Sequence, residues 1–289
     1  MLRLRKPTIA LYSVYQDCIS DNNPLRETWV YNKAYISCSI RFFNEIFYIK
    51  AETASLHTLP VLKRVFGCIS GADLENLYTH GMVTLVAGRK HYDTLIASSP
   101  EDICPLCALR KVNSLDHYLP KAHYPQYAIS PINLYPCCTD CNKAKGDKKN
   151  LAKENQTINP YFDNIENQQW LFARVVKDPI VRIIYYVDPP ANWSATLKAR
   201  VRNHVNTLSI KSLYASNAAS LLTSNRLNFQ SLYRDEGETG LRKHLIRTRN
   251  SIADKNRNQW DAVCYSALLE STEFIQRWHK EIAAPVKIP

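Results

Sequence analysis

Two Cys-x-x-C pairs, Cys104-Pro-Leu-Cys107 and Cys138-Thr-Asp-Cys141, constrain this chain more than any other feature of its sequence. Each pair sets two thiolates on one tight turn, where both can meet a single ion at about 2.3 Å, and two such turns complete the tetrahedron that Zn²⁺ prefers. The chain has nine cysteines, and five of them fall between Cys104 and Cys141. An odd, clustered set argues for metal rather than for a disulfide framework. The in-frame spacing favours Cys138 over its neighbour Cys137 as the ligand and leaves Cys137 as a packed thiol. Cys18, Cys38, Cys68 and Cys264 are isolated and read as structural.

Thirty residues separate Cys107 from Cys138, more than the roughly 15–20 of a plain four-cysteine zinc site. Something is therefore inserted between the knuckles. The insert holds Leu115-Asp116-His117-Tyr118-Leu119-Pro120 and Asn133-Leu134-Tyr135-Pro136, and it is followed at once by Cys141-Asn142-Lys143-Ala144-Lys145-Gly146-Asp147.

These residue types suit phosphodiester hydrolysis, which needs a nucleophilic water, a cation on the phosphate and groups that hold the backbone in line. His117 can take a proton near neutral pH and is the candidate general base. Asp116 offers an anionic oxygen and Asn142 a neutral one, a set that suits Mg²⁺ or Mn²⁺. Lys145 stands three residues after Asn142, on the same helical face, and could meet a phosphate. Adjacent residues of a regular strand face opposite ways, so Asp116 and His117 are expected to share a site only if the backbone is irregular there. His123 fits no motif and reads as a surface residue.

The run from Cys104 to Lys149, 46 residues, resembles the HNH nuclease module, the ββα-metal fold, in its zinc-stapled form. The family order is an Asp-His pair, an Asn in the following loop, and a His or Asn on the next helix. The resemblance implies a structural Zn²⁺ on Cys104, Cys107, Cys138 and Cys141, with a catalytic Mg²⁺ or Mn²⁺ on Asp116 and Asn142. It implies that His117 is the base and that Asn133 pins the loop orienting it without ligating metal. Many relatives have His where this chain has Asn142. The segment Asn159-Pro-Tyr-Phe-Asp163 also resembles one that trails the module in some bacterial relatives.

The flanks are less distinctive. Residues 1–100 are expected to form a mixed α/β region, with Thr8 to Tyr15 and Tyr31 to Ile40 as strands and Ser39 to Ser55 as a helix, punctuated by Gly67, Gly71, Gly81 and Gly88. Residues 101–155 form the nuclease module. Residues 156–289 are expected to begin with a hairpin over Trp170 to Val187 and continue as helices from Asn192, with stripes at Leu197, Val201, Val205 and Leu208, at Leu241, Leu245 and Ile252, and at Trp260, Val263, Ala267, Phe274 and Trp278. The expected class is α+β.

Charge agrees with a nucleic-acid partner. The chain carries 37 basic against 26 acidic side chains, a net +11, which raises the anion concentration at its surface and favours nucleic acid over a membrane surface. From Cys104 to Lys153 there are eight basic and three acidic residues. A second basic stretch, Arg242, Lys243, His244, Arg247, Arg249, Lys255 and Arg257, is expected on one C-terminal helix that tracks phosphates. Composition, at 22% charged and 10% aromatic residues, excludes disorder, collagen and coiled coil. No apolar run approaches the roughly 20 residues of a membrane span. The start, MLRLRKPTIALYSVY, reads as mature protein in the cytoplasm, because Pro7 interrupts it and no cleavage pattern follows.

The expected function is metal-dependent cleavage of DNA by an HNH endonuclease, in anti-phage defence or a mobile element, with a regulatory ATPase as partner. Two rivals share these residues: a zinc module that grips nucleic acid without cutting, and a nuclease of the same fold acting on RNA.

Overall fold

The computed structural model describes residues 1–19, 25–65, 69–147, 149 and 152–284. Cys68, Gly67 and Lys148 lie outside them. The chain divides into two compact units, one of Leu2–Asn164 and one from Ile165 onward together with Met1. The class is mixed, with helices and three two-stranded antiparallel sheets among the described residues.

The first unit opens with helices α1 (Leu11–Cys18), α2 (Leu25–Tyr31) and α3 (Lys33–Glu52). Of the two stretches expected as strands, Thr8 to Tyr15 is helical from Leu11 onward, and Tyr31 to Ile40 is helical apart from the turn at Asn32. Their buried residues, Val14 and Tyr15 on α1 and Ile36 and Ile40 on α3, fall at helical spacing instead, and Cys18, Phe47 and Ala51 continue the same faces. The 3.6-residue stripe begun at Ile36 runs into the part expected to be helical. The sheet content of residues 1–100 is a minimal pair, β1 (Arg64–Val65) with β2 (Ile69–Ser70). Helix α4 (Gly71–Asn76) follows, opened by a capping box between Ser70 and Asp73. A wide π-helical segment, Leu77–Met82, and α5 (Val86–Ile96) complete this part. At Gly81 a Cβ would lie 2.5 Å from the Cys18 carbonyl oxygen, so only glycine lets the π segment pass this close to α1.

Strand β3 (Ser114–His117) pairs antiparallel with β4 (Leu134–Cys137), with Asp116 opposite Tyr135 and His117 opposite Leu134. Helix α6 (Thr139–Lys145) leaves directly from β4 and stops at Gly146, whose φ of 63° would strain any other residue. One core joins these parts: Leu74, Leu77, Met82 and Leu95 pack with Leu115, Ile129 and Leu134. At about 25 cal/mol per Å² of apolar surface removed from water, such a core is what holds the ββα piece in place. Tyr161 locks the far side, its hydroxyl donating to the Leu134 carbonyl at 2.7 Å. Asn159 and Asp163 fold that segment over, through the Asn159 amide to Asp163 Oδ2 at 2.6 Å.

The second unit carries the hairpin β5 (Leu171–Lys177) and β6 (Val181–Val187), followed by α7 (Ala195–Thr207), α8 (Ile210–Ala253), α9 (Trp260–Glu270) and α10 (Thr272–Gln276). Leu171, Ala173, Val181, Ile183 and Tyr185 bury the inner face of the hairpin. Asn258 ties its start: Oδ1 accepts from the backbone N–H groups of Trp170 and Leu171 at 2.9 and 3.2 Å. Helix α8 breaks at Gly237. The basic stretch expected on one helix is divided, because α8 ends at Ala253 and Lys255 and Arg257 follow it. Among the described residues no helix is long and apolar enough to cross a membrane.

Candidate functional site

The four knuckle cysteines converge. The Sγ atoms of Cys104, Cys107, Cys138 and Cys141 all lie within 4.8 Å of one another, and all four residues are buried. Sulfurs 2.3 Å from a common ion at tetrahedral angles stand about 3.8 Å apart, so this cluster could hold a structural metal such as zinc. Backbone N–H groups support the sulfurs, that of Arg110 donating to Cys107 and that of Cys141 to Cys138, each at 3.4 Å. The second of these makes Cys138 the N-cap of α6, so one residue serves both the knuckle and the helix. Arg110 reaches across to Asp140 at 3.0 Å and clips the two turns together. Hydrogen bonds with Cys104, and then with Cys138 and Cys141, hold Cys107 far below the ordinary thiol range, while those with Cys104, Cys107 and Cys138 push Cys141 far above it. Four thiolates at this spacing need a cation to ionise together.

Cys137 stands outside the cluster, buried in β4 with its sulfur 3.6 Å from Ser114 Oγ. Cys18 and Cys264 are buried, whereas Cys38 is exposed. His123 is half-buried.

Beside the cysteine cluster, Asp116, His117, Asn142 and Lys145 line one open cavity of about 450 Å³, with Glu75 and Lys121 at its wall. The strand pairing is regular through both Asp116 and His117, so the backbone irregularity expected from the sequence is not what unites them. His117 is the last residue of β3, and its ring is drawn aside by a 2.7 Å hydrogen bond between Nε2 and the Ala128 carbonyl. A carbonyl only accepts, so Nε2 carries the proton and Nδ1 is the nitrogen with a lone pair. Burial, and then the charges of Lys145 and Lys121, push the His117 pKa down to about 3 against the partial support of the Ala128 carbonyl. The imidazole is neutral at physiological pH.

Asp116 Oδ2 accepts from Tyr135 Oη at 2.9 Å and meets Lys145 Nζ at 3.1 Å. Lys145 also donates to the His117 carbonyl at 2.6 Å. Helix α6 therefore delivers Asn142 and Lys145 to the cavity from one face, three residues apart. Asn133 does not line the cavity. It is wholly buried, accepts from the Leu119 amide at 2.8 Å, and donates to the Leu119 and Tyr127 carbonyls at 3.0 and 3.1 Å. That clamp fixes the loop whose Ala128 carbonyl holds His117.

Two participants escape sequence reading. Tyr78 of the π segment packs edge-on against His117 with ring centroids 4.4 Å apart, and Tyr135 braces Asp116. The strand register alone reveals Tyr135, and nothing local to Tyr78 marks it.

No known protein-family profile matches the chain, and no solved structure does. Among curated proteins it is 32% identical over 235 residues to protein ea31 of Escherichia phage lambda, an alignment covering 76% of this chain and 79% of that protein. It is 29% identical over 97 residues to the Septu protein PtuB of Bacillus thuringiensis, covering 32% of this chain and 37% of that one.

Proposed function

The chain belongs to the family of phage lambda protein ea31, and from the chemistry of its cavity we propose that it is a metal-dependent HNH-type endonuclease hydrolysing DNA. The observation that carries this reading is the meeting, in one cavity, of a neutral imidazole, a carboxylate, an amide and an ammonium. Zn²⁺ on the four cysteines is the structural staple. For a hard catalytic ion the donors fit: Asp116 supplies the anionic oxygen and Asn142 the neutral one, and among the described residues Asp116 Oδ1 takes no hydrogen bond. Mg²⁺ or Mn²⁺ bound there would neutralise charge on the phosphate and the leaving oxygen.

The chain's own groups do the rest. Nδ1 of His117 accepts the proton of the attacking water; the Ala128 carbonyl fixes the tautomer that leaves Nδ1 its lone pair, and burial keeps the ring neutral beforehand. Asn133 keeps the Ala128 loop in register, and Tyr78 limits rotation of the imidazole. Lys145 holds Asp116 in place and offers its remaining N–H to the phosphate. The setting we assign is defence against phage, supported by the similarity to the Septu protein PtuB over about a third of the chain, and a regulatory ATPase is the partner we assign to it.

The test is incubation of the purified full chain with supercoiled plasmid and with labelled RNA, in Mg²⁺, Mn²⁺ or chelator. Nicking of DNA that needs the divalent ion is the expected result. Binding without cleavage would favour a non-catalytic zinc module, and cleavage of RNA alone would move the substrate.

A further inference from the structure

The β5–β6 hairpin has a second face that the proposed nuclease chemistry does not use. Phe172 stands opposite Tyr186, Arg174 opposite Ile184, and Val176 opposite Arg182. On the inner face Leu171, Ala173, Val181, Ile183 and Tyr185 are buried at alternate positions, while these six are half-buried or exposed. The Phe172 and Tyr186 rings stack across the strands with centroids 5.7 Å apart and planes 20° from parallel. Tyr186 remains 43% exposed, so a large aromatic surface is presented to solvent with arginines on either strand.

Phe172 also forms one wall of an open cleft of about 530 Å³, shared with Asn167, Gln168, Gln169, Asp188 and Arg257. Among the described residues neither Arg174 nor Arg257 has a hydrogen-bond or ion-pair partner, and Arg182 meets Asp178 only at 3.9 Å. Asn258 fixes the backbone beside the cleft, its Nδ2 donating to the Gln168 carbonyl at 2.9 Å. The segment from Ile165 onward holds 18 basic and 11 acidic residues, so it carries +7 of the net +11.

Aromatic faces give bases a surface to stack on, arginines meet phosphates, and carboxamides pair with base edges. Bases already stacked inside a duplex cannot reach such rings, whereas those of a single strand can. An acidic peptide would use the cations but would leave the ring pair without a role. We propose that the outer face of the β5–β6 hairpin and its adjoining cleft bind single-stranded nucleic acid, with bases on Phe172 and Tyr186 and phosphates on Arg174, Arg182 and Arg257. This site is built from residues of the second unit, and the cavity of Asp116 and His117 from residues of the first.

The experiment measures fluorescence anisotropy of a labelled 15-nucleotide single strand, as DNA and as RNA, and of the matching duplex, with full-length protein and no added divalent ion. Stacking is worth about 1–3 kcal/mol per base, so Phe172→Ala with Tyr186→Ala is expected to weaken single-strand binding at least about tenfold. Duplex binding should stay within about twofold, and the Phe172→Tyr, Tyr186→Phe variant should bind as wild type does. Arg174→Ala with Arg257→Ala should flatten the log–log salt slope by about 1.4, which gives a second readout should the aromatic variant melt early. The inference is overturned if wild type ignores the single strand, if the double alanine variant binds it as wild type does, if single-strand and duplex binding fall together, or if the salt slope is unchanged. Omitting the divalent ion separates this from the nuclease reading: strand binding here with no cleavage once Mg²⁺ is supplied refutes only the latter, and cleavage in Mg²⁺ with binding indifferent to Phe172 and Tyr186 refutes only the former.

Discussion

Lys145 Nζ lies 3.1 Å from Asp116 Oδ2, and each side chain is only 9% exposed. Helix α6 and strand β3 are thus joined by an ion pair inside the candidate site. Removing one member of a buried pair leaves the other charge uncompensated, at a cost of about 3 kcal/mol. Lys145→Met is therefore expected to lower the urea midpoint strongly, and adding Asp116→Asn should recover part of the loss. Strict additivity of the two substitutions would show that the pair does not interact.

Asn133 makes three hydrogen bonds with no exposure to water. Asn133→Ala strands two backbone carbonyls and an amide, so a loss of about 3 kcal/mol is expected from the urea midpoint. A change below about 0.5 kcal/mol would show that the loop holds without its clamp.

For the cysteine cluster, Cys104→Ser and Cys141→Ser are expected to lose metal and the cooperative melting of the first unit, because metal binding in such a site is folding free energy. Cys137→Ser, outside the cluster, should keep about one zinc per chain, measured by elemental analysis. Zinc lost from Cys137→Ser and kept in Cys141→Ser would put the ligand set out of register.

The spacing of these cysteines makes the cluster legible in the sequence, because two-residue spacers confine the geometry of a turn. Asp116, His117, Asn142 and Lys145 are legible there as residue types in an order, and their convergence is a matter of the cavity they share. The α+β class is legible too. The N-terminal helices are not: Thr8 to Tyr15 and Tyr31 to Ile40 hold β-branched and aromatic residues that suit either period over a short run, and packing against Met82, Leu95 and Leu115 decides for helix. Tyr78 and Tyr135 stay hidden for the same reason, since pairing register and long-range packing bring them to His117 and Asp116.

In the second unit His279 is wholly buried, with Nδ1 3.0 Å from the Phe274 carbonyl and its ring 4.4 Å from that of Tyr233. Burial, with Lys280 adding to it, holds its pKa below the ordinary 6.5 despite the carbonyl. The folded protein thus binds fewer protons here than the unfolded chain does, so this contribution is complete above about pH 6.5 and is lost as pH falls below it. His279→Gln should melt with less pH dependence than wild type between pH 7.5 and 5. Equal slopes would show that His279 protonates without penalty.

In the proposed reaction Nδ1 of His117 takes the proton of an attacking water. Its most direct test is the cleavage rate of supercoiled plasmid by His117→Ala in Mg²⁺, beside wild type, in samples with equal zinc and equal melting temperature. Metal-dependent cleavage by wild type and a loss of at least about a hundredfold in the variant are expected. Cleavage by the variant at the wild-type rate would contradict this role of His117.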